Sequence, residues 1–267
     1  LIKSAGEIKL MEQAAKISAE GHKRAMATCK PGIMEYELEA ELLYAFARGG
    51  ARSPAYVSIV GAGENGCILH YDSNNTEVKE GDMVLIDAGC EYEHYASDIT
   101  RTFPASGKFS VEQKAIYELV LKAHTAAIAE IKPGAAWDAP HNASVKVIVK
   151  GLIKLGLLKG TPAQTIKNES YKSFYMHRVG HWLGLDVHDV GDYKIDDRWR
   201  LLEAGMVTTI EPGIYIAPDN TKVPKKWRGI GIRIEDDVLV TKKGSRILSK
   251  GIPTTVDEIE SFMAQAS

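Results

Sequence analysis

Between residues 4 and 28 the apolar positions Ile8, Met11, Ala15 and Ile17 fall on one side of a 3.6-residue period, which predicts an amphipathic helix. Lys30-Pro31-Gly32 breaks it, and a second amphipathic stretch runs from Glu35 to Arg48 and stops at Gly49-Gly50. From 55 to 103 the pattern becomes that of strands, with turns at Gly61-Ala62-Gly63, Asp72 to Asn75 and Glu80-Gly81-Asp82. Helical spacing returns from Ser110 to Ile131, where Ser110 and Gln113 form a capping-box start. Lys132-Pro133-Gly134 ends that helix, residues 135 to 156 predict another, and strands and loops resume from 174 to 248.

Four apolar runs place an acid where a strand interior should have none: Val84-Leu85-Ile86-Asp87, Ser97-Asp98-Ile99-Thr100, Thr208-Thr209-Ile210-Glu211 and Ile232-Arg233-Ile234-Glu235. An isolated carboxylate buried there costs several kcal/mol or titrates to neutral. The runs also repeat. Glu80-Gly81-Asp82-Met83-Val84-Leu85-Ile86-Asp87 is echoed by Glu203-Ala204-Gly205-Met206-Val207-Thr208-Thr209-Ile210-Glu211, with the acid six residues after the glycine in both. A second acid, Asp98 or Glu235, follows each copy on a further strand. Helices followed by strands, twice over, predict an α+β domain of two similar halves whose acids converge on one centre.

The 267 residues allow one large domain or two small ones; the reading adopted is a single catalytic domain over 1–267. A quarter of the chain is charged and the net charge is −2, with no basic stripe to suggest nucleic acid and no apolar run long enough to span a bilayer. Leu1 followed by an amphipathic stretch shows no signal peptide, and it suggests a chain cut from something longer. Three cysteines without a CxxC pair suit a reducing, cytoplasmic compartment, and Cys90 reads as a small core filler.

The cheapest remedy for clustered carboxylates is a multivalent cation. A hairpin would bring Asp87 and Asp98, eleven apart, onto one face. Asp98 and Glu235, on matching strands of the two halves, are the natural bridging ligands; Asp87 would serve one ion, and His181 with Glu211 the other. Oxygen donors with one imidazole suit two divalent ions, Mn²⁺ first, with Co²⁺, Fe²⁺ or Zn²⁺ as substitutes. Any one acid alone reads more simply as a strand-end residue in a surface salt bridge, but the set of five points to metal and to hydrolytic chemistry.

Val84 to Phe103, VLIDAGCEYEHYASDITRTF, together with HRVGHWLGLDVHDVG, EPGIYIAP and GIGIRIEDDVLVT, resembles the M24 metallopeptidases, the pita-bread family, over nearly the whole chain and in particular their aminopeptidase P branch. The resemblance implies a pita-bread fold, two pseudo-symmetric αβ halves around a central curved antiparallel sheet. It implies Asp87, Asp98, His181, Glu211 and Glu235 as ligands of a dinuclear, usually manganese, centre. It places His70, His177 and His188 around the substrate, and it makes Arg233, with Tyr56 behind it, a partner that orients the carboxylates. His22, His94, His124 and His141 read as structural, as do Asp186 and Asp189.

The activity implied is hydrolysis of the Xaa-Pro bond at peptide N-termini by a hydroxide bridging the two ions, with Glu211 accepting its proton and passing it to the leaving nitrogen. The partner would be a peptide with Pro in second position. Prolidase action on Xaa-Pro dipeptides is the runner-up; a methionine aminopeptidase fits less well, as does a non-catalytic binding module, because no ligand is missing. The family's creatinase-like N-terminal domain is expected to be absent here, and any homo-oligomer would depend on it. Ser97 departs from the glycine often found before the second acid.

Overall fold

The computed structural model describes residues 1–266. Helix α1, Ala5–Thr28, starts at Ser4, whose hydroxyl accepts the Glu7 amide while the Glu7 carboxylate accepts the Ser4 amide. It packs on α2, Glu35–Arg48. Short strands follow: β1 Ser53–Pro54, β2 Ile59–Ala62, β3 Met83–Asp87, β4 Cys90–Tyr92, β5 Tyr95–Ala96 and β6 Thr100–Pro104. The second half opens with α3, Val111–Ala129, whose capping box is the predicted Ser110 with Gln113, and α4, Ala139–Lys154, packs on it. Then come α5 Pro162–Lys167, β7 Lys194–Ile195, β8 Arg198–Trp199, β9 Val207–Ile210, β10 Gly213–Ile216, β11 Ile230–Arg233, β12 Asp236–Val240, β13 Ser245–Ile247 and α6 Val256–Ala266.

The sequence repeat is a structural repeat. In the first half β3 pairs antiparallel with β6, with Asp87 opposite Thr100; in the second β9 pairs antiparallel with β12, with Ile210 opposite Asp236. The strands form antiparallel sheets of two or three, β2-β3-β6, β13-β12-β9, β10-β11, β1-β4-β5 and β7-β8. A bridge between Thr100 and Glu235 joins the halves at the centre, and the Thr102 hydroxyl donates to the Arg233 carbonyl (2.9 Å). Behind this seam Leu42, Phe46, Val84, Phe103, Tyr117, Ile148 and Ile232 close a core between sheets and helices. Among the described residues no helix is long and apolar enough to cross a membrane.

The structure differs from the sequence reading in three places. Asp87 ends β3, Glu211 follows β9, and Asp98 and Glu235 precede β6 and β12, so the acids stand at strand ends instead of strand interiors. Regular pairing stops there, which frees the carboxylates to turn into a cavity. Cys67-Ile68-Leu69 is not a strand: Gly63–Cys67 coils as a 3₁₀ turn entered at Gly63 with φ 57°, a conformation glycine adopts without penalty. Residues 135–138 do not open α4, because Ala135 and Trp137 form backbone hydrogen bonds with Leu202 and Arg200.

Candidate metal centre

The seam opens into a cavity of about 810 Å³. The five ligand candidates, His70, His177, His188 and Arg233 all line it. The hairpin β3–β6 brings Asp87 and Asp98 together, and the Tyr56 hydroxyl lies 2.7 Å from Asp87 Oδ1 and 2.6 Å from Asp98 Oδ1. One hydroxyl proton cannot serve both contacts, so the pair is a natural holder of a second proton. Arg233, buried at the end of β11, donates from Nη2 to Asp87 Oδ2 (2.6 Å) and from Nη1 to the Tyr215 hydroxyl (3.0 Å).

His181 comes from the long connection before β7 and lies against β9. Its Nδ1–H donates to the Trp182 carbonyl (3.0 Å), which turns Nε2 toward Asp98 Oδ2 at 3.2 Å and Glu211 Oε1 at 3.6 Å. Its neighbour Gly180 lies where a Cβ would stand 2.0 Å from the Thr209 carbonyl oxygen, so only glycine lets the loop approach β9 this closely. Glu235 accepts the Thr100 hydroxyl (2.7 Å). His177 donates Nδ1–H to the Arg178 carbonyl (2.7 Å), so its Nε2 accepts from Tyr215 (2.9 Å). The His188 ring meets the His181 ring edge-on, with centroids 4.3 Å apart.

Burial pushes Glu211 up to about 7 and Glu235 well above the carboxylate range. Asp87 rises for the same reason, against the pull of Arg233. Burial opposes the charge of Asp98 too, yet the hydrogen bond and charge of His181 hold it low. Burial also disfavours the His181 cation, but Asp98 and Glu211 together carry it up to about 9. His177 is brought down to about 3 by burial and by Arg233, so it is a neutral imidazole.

Ligand atoms of Asp98, His181 and Glu235 lie within 4.8 Å of one another, a spacing that a single cation can span. Burial first and the neighbouring carboxylates second disfavour the charges of Asp87, Glu211 and Glu235 there. Four oxygen-donor side chains and an imidazole fit a divalent ion, which would favour those charges.

Three residues that the sequence reading did not single out belong to the same network. Tyr215 links His177 to Arg233; its position in the alternation of Ile214-Tyr215-Ile216 was the available signal. Thr100 binds Glu235, and the Asp237 carboxylate accepts the Asp98 amide at 3.2 Å from 139 residues away, a pairing no local pattern announces. Ser97 is buried with its hydroxyl 2.7 Å from Ser18 Oγ in α1, and it also donates to the Cys90 carbonyl.

Residues 9–242 match metallopeptidase family M24. The chain is 51% identical over 263 residues to the Xaa-Pro aminopeptidase of Haemophilus influenzae, covering 98% of this chain and 61% of that one. It is 39% identical over 291 residues to the human Xaa-Pro dipeptidase, with 97% of this chain and 59% of the relative covered. The solved structure of Pseudomonas aeruginosa aminopeptidase PepP superposes with a TM-score of 0.99 at 62% identity, over 100% of this chain and 60% of that one. The chain thus spans about three fifths of the length of these relatives.

Proposed function

The chain belongs to metallopeptidase family M24, with its pita-bread fold, and from that premise we propose that it is a metal-dependent aminopeptidase cleaving the Xaa-Pro bond at peptide N-termini. The observation that carries this reading is the convergence, in one cavity, of five ligand candidates from both halves with three histidines and Arg233. Asp87, Asp98, His181, Glu211 and Glu235 would hold the divalent ions. Such ions, Mn²⁺ by the hardness of the donors, would polarise the scissile carbonyl and acidify the attacking water.

The remaining chemistry lies with the chain's own side chains. Glu211, its carboxylate beside His181 in the cavity, would take a proton from the attacking water and return it to the leaving nitrogen. The return matters here, because the nitrogen leaving an Xaa-Pro bond is a tertiary amide without its own N–H. His181 is held in one orientation by the Trp182 carbonyl. Arg233 and Tyr56 fix the Asp87 carboxylate. His70 and His188, on the cavity wall, are the groups that contact the peptide carbonyls, and neutral His177 braces Tyr215.

The substrate read from this site is a peptide with proline in second position. Dipeptidase action is the second reading, favoured by the 39% identity to the human dipeptidase and weighed against 51% to an aminopeptidase. Residues 1–267 are taken as one catalytic domain, and a cytoplasmic setting agrees with the free cysteines. The test compares an Xaa-Pro tripeptide, an Xaa-Pro dipeptide and a Met-Ala peptide, each with added Mn²⁺. Preference for the tripeptide is the expected result. Preference for the dipeptide selects prolidase action, and turnover of none would return the chain to a binding role.

A further inference from the structure

His70 reaches the cavity on residues 63–82, the connection between β2 and β3. Its imidazole takes part in no hydrogen bond among the described residues, so its position is inherited from the chain around it. That chain is gathered by one side chain. Glu35, the first residue of α2, is 0% exposed, and its carboxylate accepts four hydrogen bonds, all from residue 62 or this connection. Oε1 accepts the Ala62 amide (2.8 Å) and Asn65 Nδ2 (3.0 Å) from the outgoing limb. Oε2 accepts the Thr76 amide (2.9 Å) and the Tyr71 hydroxyl (2.8 Å) from the returning one.

A buried carboxylate is a costly anchor, and this one has no ion-pair partner among the described residues. Four donors and the N-terminal end of α2 offset the cost, and charge-assisted bonds hold geometry more tightly than neutral ones. Tyr71 is the residue after His70. Its ring packs with Leu69 on Ile59, Leu85 and Tyr215, and Tyr215 is the hydroxyl that joins His177 to Arg233. The residues on both sides of His70 are thus fixed to the wall of the site, one of them by a hydrogen bond to Glu35.

We propose that Glu35 is a positioning residue for the reaction, setting the place of the His70 imidazole in the cavity through Tyr71. This rests on the reading of His70 as a group that contacts the substrate. A mere scaffold would affect stability alone, whereas a positioning residue must act through His70.

The test uses the full chain with Mn²⁺ and an Xaa-Pro tripeptide, with Glu35→Gln and Tyr71→Phe made separately in the parent and in a His70→Ala background. Each is expected to lower kcat/KM by about tenfold in the parent, yet by no more than about twofold once His70 is gone. Equal losses in both backgrounds, or no loss in the parent, overturn the proposal. Tyr71→Phe keeps the carboxylate buried and bonded, so it decides the matter if Glu35→Gln folds poorly. A second readout needs no turnover: the rate of carbethoxylation of His70 by diethyl pyrocarbonate, followed by mass spectrometry, should change in both variants while that of His94, remote from the cavity, stays constant. Unchanged modification at His70 overturns the proposal even if the chain cleaves no Xaa-Pro peptide. If His70→Ala alone keeps full activity, the reading of His70 fails and takes the positioning role with it. If His70→Ala is slow while both other variants are normal, only the positioning role fails.

Discussion

Glu211 stands in the cavity with Oε1 3.6 Å from His181 Nε2, where a carboxylate can accept a proton from water and pass it on. Glu211→Gln keeps the shape of the side chain and removes the proton acceptor. Turnover of an Xaa-Pro peptide should fall by about 100-fold or more with cooperative unfolding retained; near-normal rates would remove the proposed role. Burial brings His141 down to about 4, with Arg178 adding to the fall. Above about pH 6.5 it is neutral in folded and unfolded chains alike and contributes nothing. Between 6.5 and 4 the unfolded chain binds a proton that the fold refuses, so stability drops, by up to about 3 kcal/mol from this residue. The urea midpoint should therefore fall less between pH 7 and 4 in His141→Gln than in the parent, and parallel curves would refute the assignment. Asp87, Asp98, Glu211 and Glu235, which line the cavity, were legible in the sequence because acids in apolar runs break a strong rule. Tyr215 and Thr100 were not, because tyrosine and threonine within strands break none; Asp237, buried in β12, does break it and was passed over beside Glu235.

At the scale of elements, α1, α2 and α3 lie within two residues of where their periodicity put them, since long amphipathic helices with caps are over-determined. The strands were harder: among the described residues every one is two to five residues long, too short for alternation to mark its ends. Cys67-Ile68-Leu69 read as strand because it is apolar, but those side chains serve a looped wall of the cavity. Helix α6 lies beyond the predicted elements. The hairpin β3–β6 also depends on a feature that no period reveals. A Cβ on Gly89 would stand 1.8 Å from the Ser97 carbonyl oxygen, and backbone cannot move aside as a side chain can. Gly89→Ala should cost about 3 kcal/mol of stability or more. It should also weaken metal binding by displacing Asp98, the next residue; a variant with parental melting temperature would show that the strands can part freely.

For the whole molecule the two-half plan was legible from the repeated Gly-to-acid spacing, because each copy of β3–β6 and β9–β12 carries the same pair of acids. How the halves meet was not legible, since Thr100 with Glu235 and Asp98 with Asp237 join residues far apart in sequence. Several buried carboxylates at that seam repel one another, and a divalent ion binding only the folded state adds stability by mass action. Added Mn²⁺ should raise the melting temperature and chelator should lower it; indifference to both would count against the centre. The seam has a further consequence in time. Asp87 and Asp98 fold with the first half, but His181, Glu211 and Glu235 arrive only with the second, so neither half alone presents the donor set. Local helices and hairpins form quickly, whereas contacts of long sequence separation form late. During refolding, recovery of tight metal affinity would therefore act as a clock for the docking of one half on the other, lagging the return of helical signal.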